Sequence, residues 1–237
     1  MISAIETQSL SKRYDSLQAL DEVNVRAPSQ HVTSVVGVNG SGKTTLLRIL
    51  AGLELPSKGK VLVDTREVGP DKLRAHCTMV FQKSVMFSRA VYDNVAYGLR
   101  LNRSGSGDVR EKVRSALALV NLEGFEKRKA RRLSSGEQQR VALARALALE
   151  REVLLVDEPT ANLDPANAMI IERAIKESAK SRIVVLSTHN LPQARRLSDR
   201  VIHLYRGRVV EEAEPSRFFT SPSDERTKLF IEGELQY

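Results

Sequence analysis

The chain has 237 residues, of which 41% are hydrophobic, so it can bury a core and lacks the composition of a disordered protein. Its net charge of +8 fits a solvated surface, an anionic membrane or partner, or nucleic acid, and does not separate these classes. The single cysteine, Cys77, excludes an internal disulfide and a cysteine-cluster zinc site, and we expect it in the core.

Apolar patterning argues against a segment that crosses a membrane. The longest apolar runs, such as Val153 to Val156, are far shorter than the ~18 residues of a membrane-spanning helix. The N-terminus lacks the basic region and apolar core of a secretory signal. We therefore expect a cytosolic chain, with any membrane role peripheral.

Alternating apolar and polar residues predict short strands near residues 5–10 and 20–25, on either side of a polar turn that holds Tyr14. We expect them to form an antiparallel edge beside the next apolar run, residues 32–36. Tyr14 could stack on an adenine ring or could be a half-buried turn aromatic. The local pattern leaves both interpretations open.

The next stretch has the form G-x-x-x-x-G-K-S/T and lies between a β-branched strand and an apolar helix. Its small residues let backbone N–H groups wrap around phosphate oxygens, and the helix start adds its own amides. Lys43 is expected on the terminal phosphates, and the Thr44 hydroxyl on Mg²⁺. A nucleoside triphosphate is the predicted ligand. The residues of the loop are Gly37, Val38, Asn39, Gly40, Ser41, Gly42, Lys43, Thr44 and Thr45.

Residues 59–64 and 77–81 are predicted strands, and the second ends at Gln82, whose amide oxygen could ligate Mg²⁺. Helical spacing follows over residues 91–101, then a predicted linker over residues 102–107. A further helix is predicted over residues 109–120, where four apolar residues lie on one face. We interpret residues 91 to about 132 as a helical insertion in an α/β domain. The four apolar residues are Val109, Val113, Leu117 and Val120.

Small polar residues Ser134, Ser135 and Gly136 precede a strongly helical run, residues 141–147. Such residues cap a helix, and the start of a helix can also bind an anion. The sequence therefore leaves two interpretations open, a helix cap alone or a second phosphate contact.

A buried strand, residues 153–156, runs into two carboxylates, Asp157 and Glu158. Neighbouring strand residues point to opposite sides, so we expect one carboxylate to hold Mg²⁺ through water and the other to polarise the attacking water. His189 follows another buried strand, residues 182–188, at the strand end where ligands of parallel sheets gather.

The remaining sequence predicts a hairpin with Arg206 and Gly207 at its turn, then two short helices after Pro215. His31, His76 and His203 have no companion ligands, and we assign them no function.

The order of these motifs resembles the nucleotide-binding subunits of ATP-binding cassette (ABC) transporters across nearly the whole chain. The phosphate loop, Gln82, the acidic strand end and His189 match family motifs. Residues 133–137 stand for the L-S-G-G-Q signature, and residues 161–164 resemble the D-loop.

The resemblance implies an α/β fold, a P-loop NTPase (RecA-like) core with an antiparallel β edge and an inserted α-helical subdomain. It implies a single ABC ATPase domain over residues 1–237. We divide this domain into a core of residues 1–90 and 150–213, a helical signature subdomain of residues 91–149, and a helical tail of residues 214–237.

The resemblance also implies that two copies stack head to tail and share two ATP molecules. Tyr14 would stack on adenine, Glu158 would be the base, and His189 would contact the γ-phosphate. Lys43 and Gln82 complete the expected catalytic set. Mg²⁺ would be held by Thr44, Gln82 and Asp157, and a partner's ATP would be faced by Ser134, Ser135, Gly136 and Asp164.

Two residues depart from the family signature. Ser135 replaces its first glycine and Glu137 replaces its glutamine. If that glycine is needed for backbone conformation or close phosphate approach, we expect Ser135 to weaken ATP-dependent closure.

The tail resembles that of tungstate-importer ATPases and, less closely, phosphate-importer ATPases, which predicts an oxyanion importer with tungstate first and molybdate or phosphate next. Expected partners are membrane permease subunits and, indirectly, an extracytoplasmic substrate-binding protein, at the cytoplasmic face of the membrane. The alternatives are an importer ATPase for another small solute such as an amino acid, and a soluble nucleic-acid-associated ABC ATPase.

Two rival classes are less well supported. About 50 residues separate Gln82 from Leu133, too few for the coiled coils of DNA-repair members, so no direct nucleic-acid partner is expected. The intact Asp157–Glu158 pair argues against a nucleotide-binding module that does not hydrolyse.

Overall fold

The computed structural model describes residues 2–101 and 106–235, with only the backbone of residues 106 and 107. Within these residues the chain forms two β-sheets and a set of α-helices packed around them.

The first sheet is mostly antiparallel and carries the N-terminal strands. Strand β1 (Ala4–Tyr14) pairs with β2 (Leu17–Val23), β3 (Arg26–Pro28) and β5 (Lys58–Val63), and β5 pairs with β6 (Arg66–Glu67). The predicted strand pair is therefore confirmed. Its predicted place beside residues 32–36 is wrong, because those residues lie in the other sheet.

The second sheet holds the order β11-β10-β4-β9-β8-β7, and only its terminal β10–β11 pair is antiparallel. All five residues of β4 are buried, and both its edges are occupied by parallel neighbours. This leaves no edge of β4 for the N-terminal hairpin. The strands are β4 (Val32–Val36), β7 (Cys77–Val80), β8 (Val153–Asp157), β9 (Ile183–Thr188), β10 (Arg200–Tyr205) and β11 (Arg208–Ala213).

Parallel pairing places the carboxyl ends of β4, β7, β8 and β9 at one edge of this sheet. Each motif singled out in the sequence after a buried strand therefore emerges at the same edge. The site residues that follow these four strands are Gly37, Gln82, Glu158 and His189.

The helices begin and end close to their predicted positions. The predicted linker is an exception, since residues 102–105 lie outside the described residues, and residues 106 and 107 belong to a helix. The helix Ser135–Leu147 is another, since it begins six residues before the predicted run, and two short helices, Pro70–His76 and Leu191–Leu197, were not predicted. The helices are α1 (Lys43–Leu50), α2 (Pro70–His76), α3 (Val91–Leu101), α4 (Ser106–Leu119), α5 (Ser135–Leu147), α6 (Pro165–Ala179), α7 (Leu191–Leu197), α8 (Pro215–Thr220) and α9 (Glu225–Glu232), with a 3-10 turn at Ala130–Arg132.

Alternate residues of the central strands face different cores. Leu154 and Val156 of β8 pack in the core formed with α3 to α6, whereas Val153 and Leu155 pack in the core around α1 and the antiparallel sheet. A third, smaller core joins the C-terminal helices to β4 and β10 through Phe218. No helix in the described ranges is long and apolar enough to cross a membrane.

Candidate functional site

A cavity of about 690 Å³ lies over the start of α1 and gathers residues from five separate parts of the chain. Its lining combines polar groups from the phosphate loop and strand ends with residues near the β1–β2 turn. Its lining residues are Tyr14, Leu17, Gln18, Ala19, Asn39, Gly40, Gly42, Lys43, Thr44, Thr45, Gln82, Glu158 and Arg206.

The first turn of α1 presents amides to this cavity. Gly42 is the N-cap residue, and no side chain caps the helix. The first amides of a helix have no partner within it, so they are available to an anion. Gly42 has φ 107°, and a Cβ there would lie 2.5 Å from the Ala19 carbonyl oxygen, which explains the requirement for glycine.

The Lys43 side chain is buried and lies against its own loop. Its Nζ donates to the carbonyls of Gly37 at 2.8 Å and Val38 at 3.0 Å, and lies 3.5 Å from Glu158 Oε1. Burial lowers the pKa of Lys43 from its ordinary value, and the Glu158 carboxylate opposes that shift. A largely desolvated cation at a cavity wall interacts more strongly with phosphate than one in water.

Asp157 and Glu158 contact different residues, and strand alternation is not the reason. Asp157 ends β8 and accepts hydrogen bonds from Thr44 Oγ1 at 2.9 Å and from Ser187 Oγ. Glu158 lies just beyond the strand with φ 44°, in the left-handed region, so the turn of the backbone rather than strand alternation directs its side chain.

Glu158 is the centre of the polar network at the cavity. Its Oε2 accepts from Gln82 Nε2 at 3.2 Å and His189 Nδ1 at 3.0 Å, while its Oε1 faces Lys43. The other three residues predicted to be catalytic therefore all contact Glu158, although Gln82 and His189 lie 107 positions apart in the sequence.

The oxygen atoms near Thr44 fit Mg²⁺. The hydroxyl of Thr44 and the carboxylate of Asp157 are in contact, and the Gln82 amide lines the same cavity. These are hard oxygen ligands of the kind that Mg²⁺ takes together with water and phosphate. Among the described residues, no cluster of three His, Cys, Asp or Glu side chains suggests a different metal.

Tyr14 lies at the end of β1 and lines the cavity. Its side chain is partly exposed, Lys12 Nζ lies 4.9 Å from its ring centroid, and its hydroxyl interacts with Glu54 and Thr45. Burial and the neighbouring Glu54 raise the pKa of Tyr14. Its ring therefore lies where a ligand in the cavity could contact it.

The predicted signature residues do not line this cavity. Ser134 caps α5, accepting from the Glu137 amide at 3.2 Å while its own amide donates to Glu137 Oε2 at 2.8 Å. Glu137, the second departure from the signature, thus completes a capping box. Ser134 and Ser135 are exposed, whereas Gly136 is buried.

The structure bears on one of the two reasons considered for a glycine at the position of Ser135, backbone conformation. Ser135 is the first residue of α5 and has no positive φ, so this position does not need glycine for backbone conformation. A Cβ on Gly136 would lie 2.6 Å from the Asn167 side chain, so that side chain would have to move to admit a larger residue. Asn167 in turn binds Asp164, which caps α6.

Two phosphate-loop residues lie behind the cavity wall. Gly37 lies against the Leu204 carbonyl, and Ser41 is buried with its carbonyl accepting from the Gly207 amide at 3.0 Å. No described residue is a partner for the Ser41 hydroxyl.

Sequence reasoning missed Ser187 and Arg206. Ser187 donates to Asp157 and accepts from the Glu158 amide, and its place near the carboxyl end of a buried strand could have indicated this. Arg206 lines the cavity only because β10 pairs with β4, a contact that no local pattern reveals.

The family model "ABC transporter" matches residues 20–161 of the chain. The chain is 40% identical to a probable anion import ATP-binding protein of Haloferax volcanii, covering 98% of this chain and 88% of that protein. It is 39% identical to the phosphate import ATP-binding protein PstB 2 of Natronomonas pharaonis, covering 96% and 86%.

A solved structure shares the fold closely. CbiO1 from Clostridium perfringens, described as part of the ABC transporter complex CbiONQ, superposes with a TM-score of 0.84 at 28% identity, covering 97% of this chain and 95% of that one. The fold class predicted from the sequence is confirmed. With its family model, its relatives and its fold in agreement, this chain belongs to the ABC transporter family and is an ATPase of that family.

Proposed function

We propose that this chain is the ATP-hydrolysing subunit of an importer for an oxyanion. The observation that carries the hydrolytic role is Glu158, held by Gln82 and His189 on one oxygen and facing Lys43 with the other. The import role is supported by the names of the relatives, one an anion and one a phosphate import protein.

Each site residue has a role that follows from its contacts. Lys43 would exchange the loop carbonyls and Glu158 for phosphate oxygens, which frees Glu158 Oε1. Because Oε2 already accepts two hydrogen bonds, Oε1 is the atom that would take a proton from the attacking water. General-base help of this kind is worth about 10²–10⁴-fold in rate.

The metal site would be built from Thr44, Gln82 and Asp157, with Ser187 orienting Asp157. When bound, Mg²⁺ neutralises phosphate charge and polarises the phosphorus for attack. The loop amides would bind the remaining phosphate oxygens, and Tyr14 would stack on the adenine.

A second copy of the chain would complete the site. Ser134, Ser135, Gly136 and Asp164 do not line the Lys43 cavity, and both serines are exposed. A head-to-tail partner would present these residues to the ATP held here. Ser135 would approach phosphate with its hydroxyl where the family signature has glycine.

Membrane subunits would dock beside Gln82. An apolar cavity of about 450 Å³ lies there, and Val85 on its wall is 71% exposed. Gln139 of α5 donates to the Phe81 carbonyl at 3.1 Å, and Arg145 donates to the Val85 carbonyl. These bonds join α5, the helix that begins at the signature residues, to the wall of this cavity. A movement of α5 would therefore be transmitted to a permease docked there.

Tungstate is the first candidate cargo, followed by molybdate and phosphate. The tail, residues 218–235, supports tungstate through its resemblance to tungstate-importer ATPases. An extracytoplasmic binding protein would deliver the anion to the permease, and this chain would lie at the cytoplasmic face of the membrane.

The shared site is tested by sizing Glu158→Gln with and without Mg-ATP. The amide keeps the shape of the side chain but cannot accept the proton, so we expect ATP to persist and the dimer to accumulate. Glu123→Gln, the same exchange on an exposed residue, should elute as wild type does under both conditions. A Glu158→Gln protein that binds ATP yet never dimerises, even with Ser135→Gly added, would contradict the two-copy site.

The cargo is tested by reconstituting the chain with its permease and binding protein and measuring ATPase activity. Tungstate, molybdate or phosphate should stimulate hydrolysis several-fold over basal activity. Stimulation by an amino acid and by none of the three anions would overturn the oxyanion proposal while leaving the ATPase role intact.

A further inference from the structure

Arg206 lines the nucleotide cavity although it comes from the hairpin turn between β10 and β11, the last strands of the sheet. The roles proposed above do not use it.

Hydrogen bonds hold the β10–β11 turn against two parts of the chain that line the cavity, the phosphate loop and β2. The Gly207 amide donates to the Ser41 carbonyl in the phosphate loop at 3.0 Å, and the Asp21 amide donates to the Gly207 carbonyl at 2.8 Å. A Cβ on Gly207 would lie 2.8 Å from the Ala19 carbonyl oxygen, so the turn fits closely against β2. These contacts hold the turn that carries Arg206 against the phosphate loop and β2.

The charge of Arg206 has no acidic partner in the part of the chain that the structure describes. Its guanidinium lies 5.3 Å from the Tyr205 ring centroid and its side chain is exposed. Arg208, at the other end of the turn, instead pairs with Asp21. Lys43, the other cation lining the cavity, faces Glu158. Arg206 therefore adds a positive charge that no acidic side chain of the described ranges neutralises.

We propose that Arg206 is a nucleotide-binding residue that contacts oxygens of the α- or β-phosphate. These phosphates lie nearer the base than the terminal phosphate does. The terminal phosphate belongs to the end of the cavity where Lys43, Gln82 and Glu158 meet. Gly207, the residue next to Arg206, instead contacts Ser41 in the phosphate loop and Ala19 in β2. A guanidinium is well suited to phosphate oxygens, which it binds with two N–H groups at once.

The inference rests on the proposed ATP site, and its test separates the two. Dissociation constants for Mg-ADP and for adenosine are measured by calorimetry on wild type, Arg206→Gln and Arg208→Gln, with the KM and kcat of ATP hydrolysis. We expect Arg206→Gln to bind Mg-ADP about tenfold more weakly, the loss of one charge-assisted contact. In the same variant the KM for ATP should rise and the affinity for adenosine should be unchanged, and Arg208→Gln should match wild type.

Arg206→Lys should restore part of the Mg-ADP affinity, because it keeps the charge but loses the forked geometry. Unfolding midpoints equal to wild type exclude a folding defect. Unchanged Mg-ADP affinity in Arg206→Gln, with wild type binding normally, would overturn the role of Arg206. An equal loss for adenosine would move the contact from phosphate to base. Wild type that binds no nucleotide would instead overturn the proposed function.

Discussion

At the scale of single residues, the adjacent carboxylates Asp157 and Glu158 have different surroundings because the backbone turns between them. Asp157 is the last residue of β8, where Thr44 and Ser187 hold its carboxylate. Glu158 is the first residue past the strand, and its left-handed backbone sends its side chain to Lys43, Gln82 and His189. One peptide bond thus separates a candidate metal ligand from a candidate base.

The glycines of the phosphate loop differ in what they tolerate. Gly40 and Gly42 both have positive φ, which an alanine adopts at a cost of about 1–2 kcal/mol. Nothing lies within 4 Å of a Cβ on Gly40, whereas a Cβ on Gly42 would meet the Ala19 backbone. We expect Gly42→Ala to destabilise the protein by at least ~2 kcal/mol more than Gly40→Ala, because backbone atoms must move.

Urea unfolding without nucleotide measures this difference, with Gly69→Ala as a control at a site that has open space and no positive φ. Equal losses for the Gly40 and Gly42 variants would mean that the loop and β2 are not in close contact.

At the scale of elements, the C-terminal helices are part of the core rather than an appendage. His203 of β10 is fully buried, donates to or accepts from Thr227 of α9 at 2.9 Å through Nδ1, and stacks on Phe230 with centroids 4.6 Å apart. Its Nε2 is buried without a partner among the described residues. Such an imidazole is held in its neutral form, because a charge there would be neither hydrated nor paired.

Burial lowers the pKa of His203 from 6.5 to about 4, although Asp224 and Glu211 oppose the shift. Between pH 6.5 and about 4, His203 is protonated in the unfolded chain but remains neutral in the folded chain. The free energy of unfolding should therefore be highest above pH 6.5 and fall as the pH decreases toward about 4, by an amount approaching roughly 3 kcal/mol.

The measurement is urea unfolding at several pH values on wild type and His203→Phe, which keeps an aromatic ring but cannot titrate. Above pH 6.5 we expect the variant to be less stable than wild type, because the hydrogen bond to Thr227 is lost. The difference in the free energy of unfolding between the two proteins should narrow as the pH falls. His31→Phe, an exchange on an exposed histidine, should leave the profile parallel to wild type. A His203→Phe profile that also stays parallel would contradict the assignment.

At the scale of the whole molecule, features set by local sequence could be predicted and features set by distant pairing could not. The strands, most helices and the phosphate loop follow from hydrophobic period and glycine spacing, and the meeting of Gln82, Glu158 and His189 follows from the resemblance. The separation of the antiparallel sheet from β4 was missed, because strand neighbours depend on contacts far apart in the chain. Arg206 was missed for the same reason.

The pairing of β4 with β10 also bears on how the protein is made. Strand β4 leaves the ribosome early, but β10 is synthesised roughly 165 residues later, a wait of about 10 to 30 s at ~5–20 residues per second. Until then the strand that carries the phosphate loop has an unpaired edge, which is a template for wrong pairing. The nucleotide site is therefore complete only after β10 and the turn that carries Arg206 have been translated.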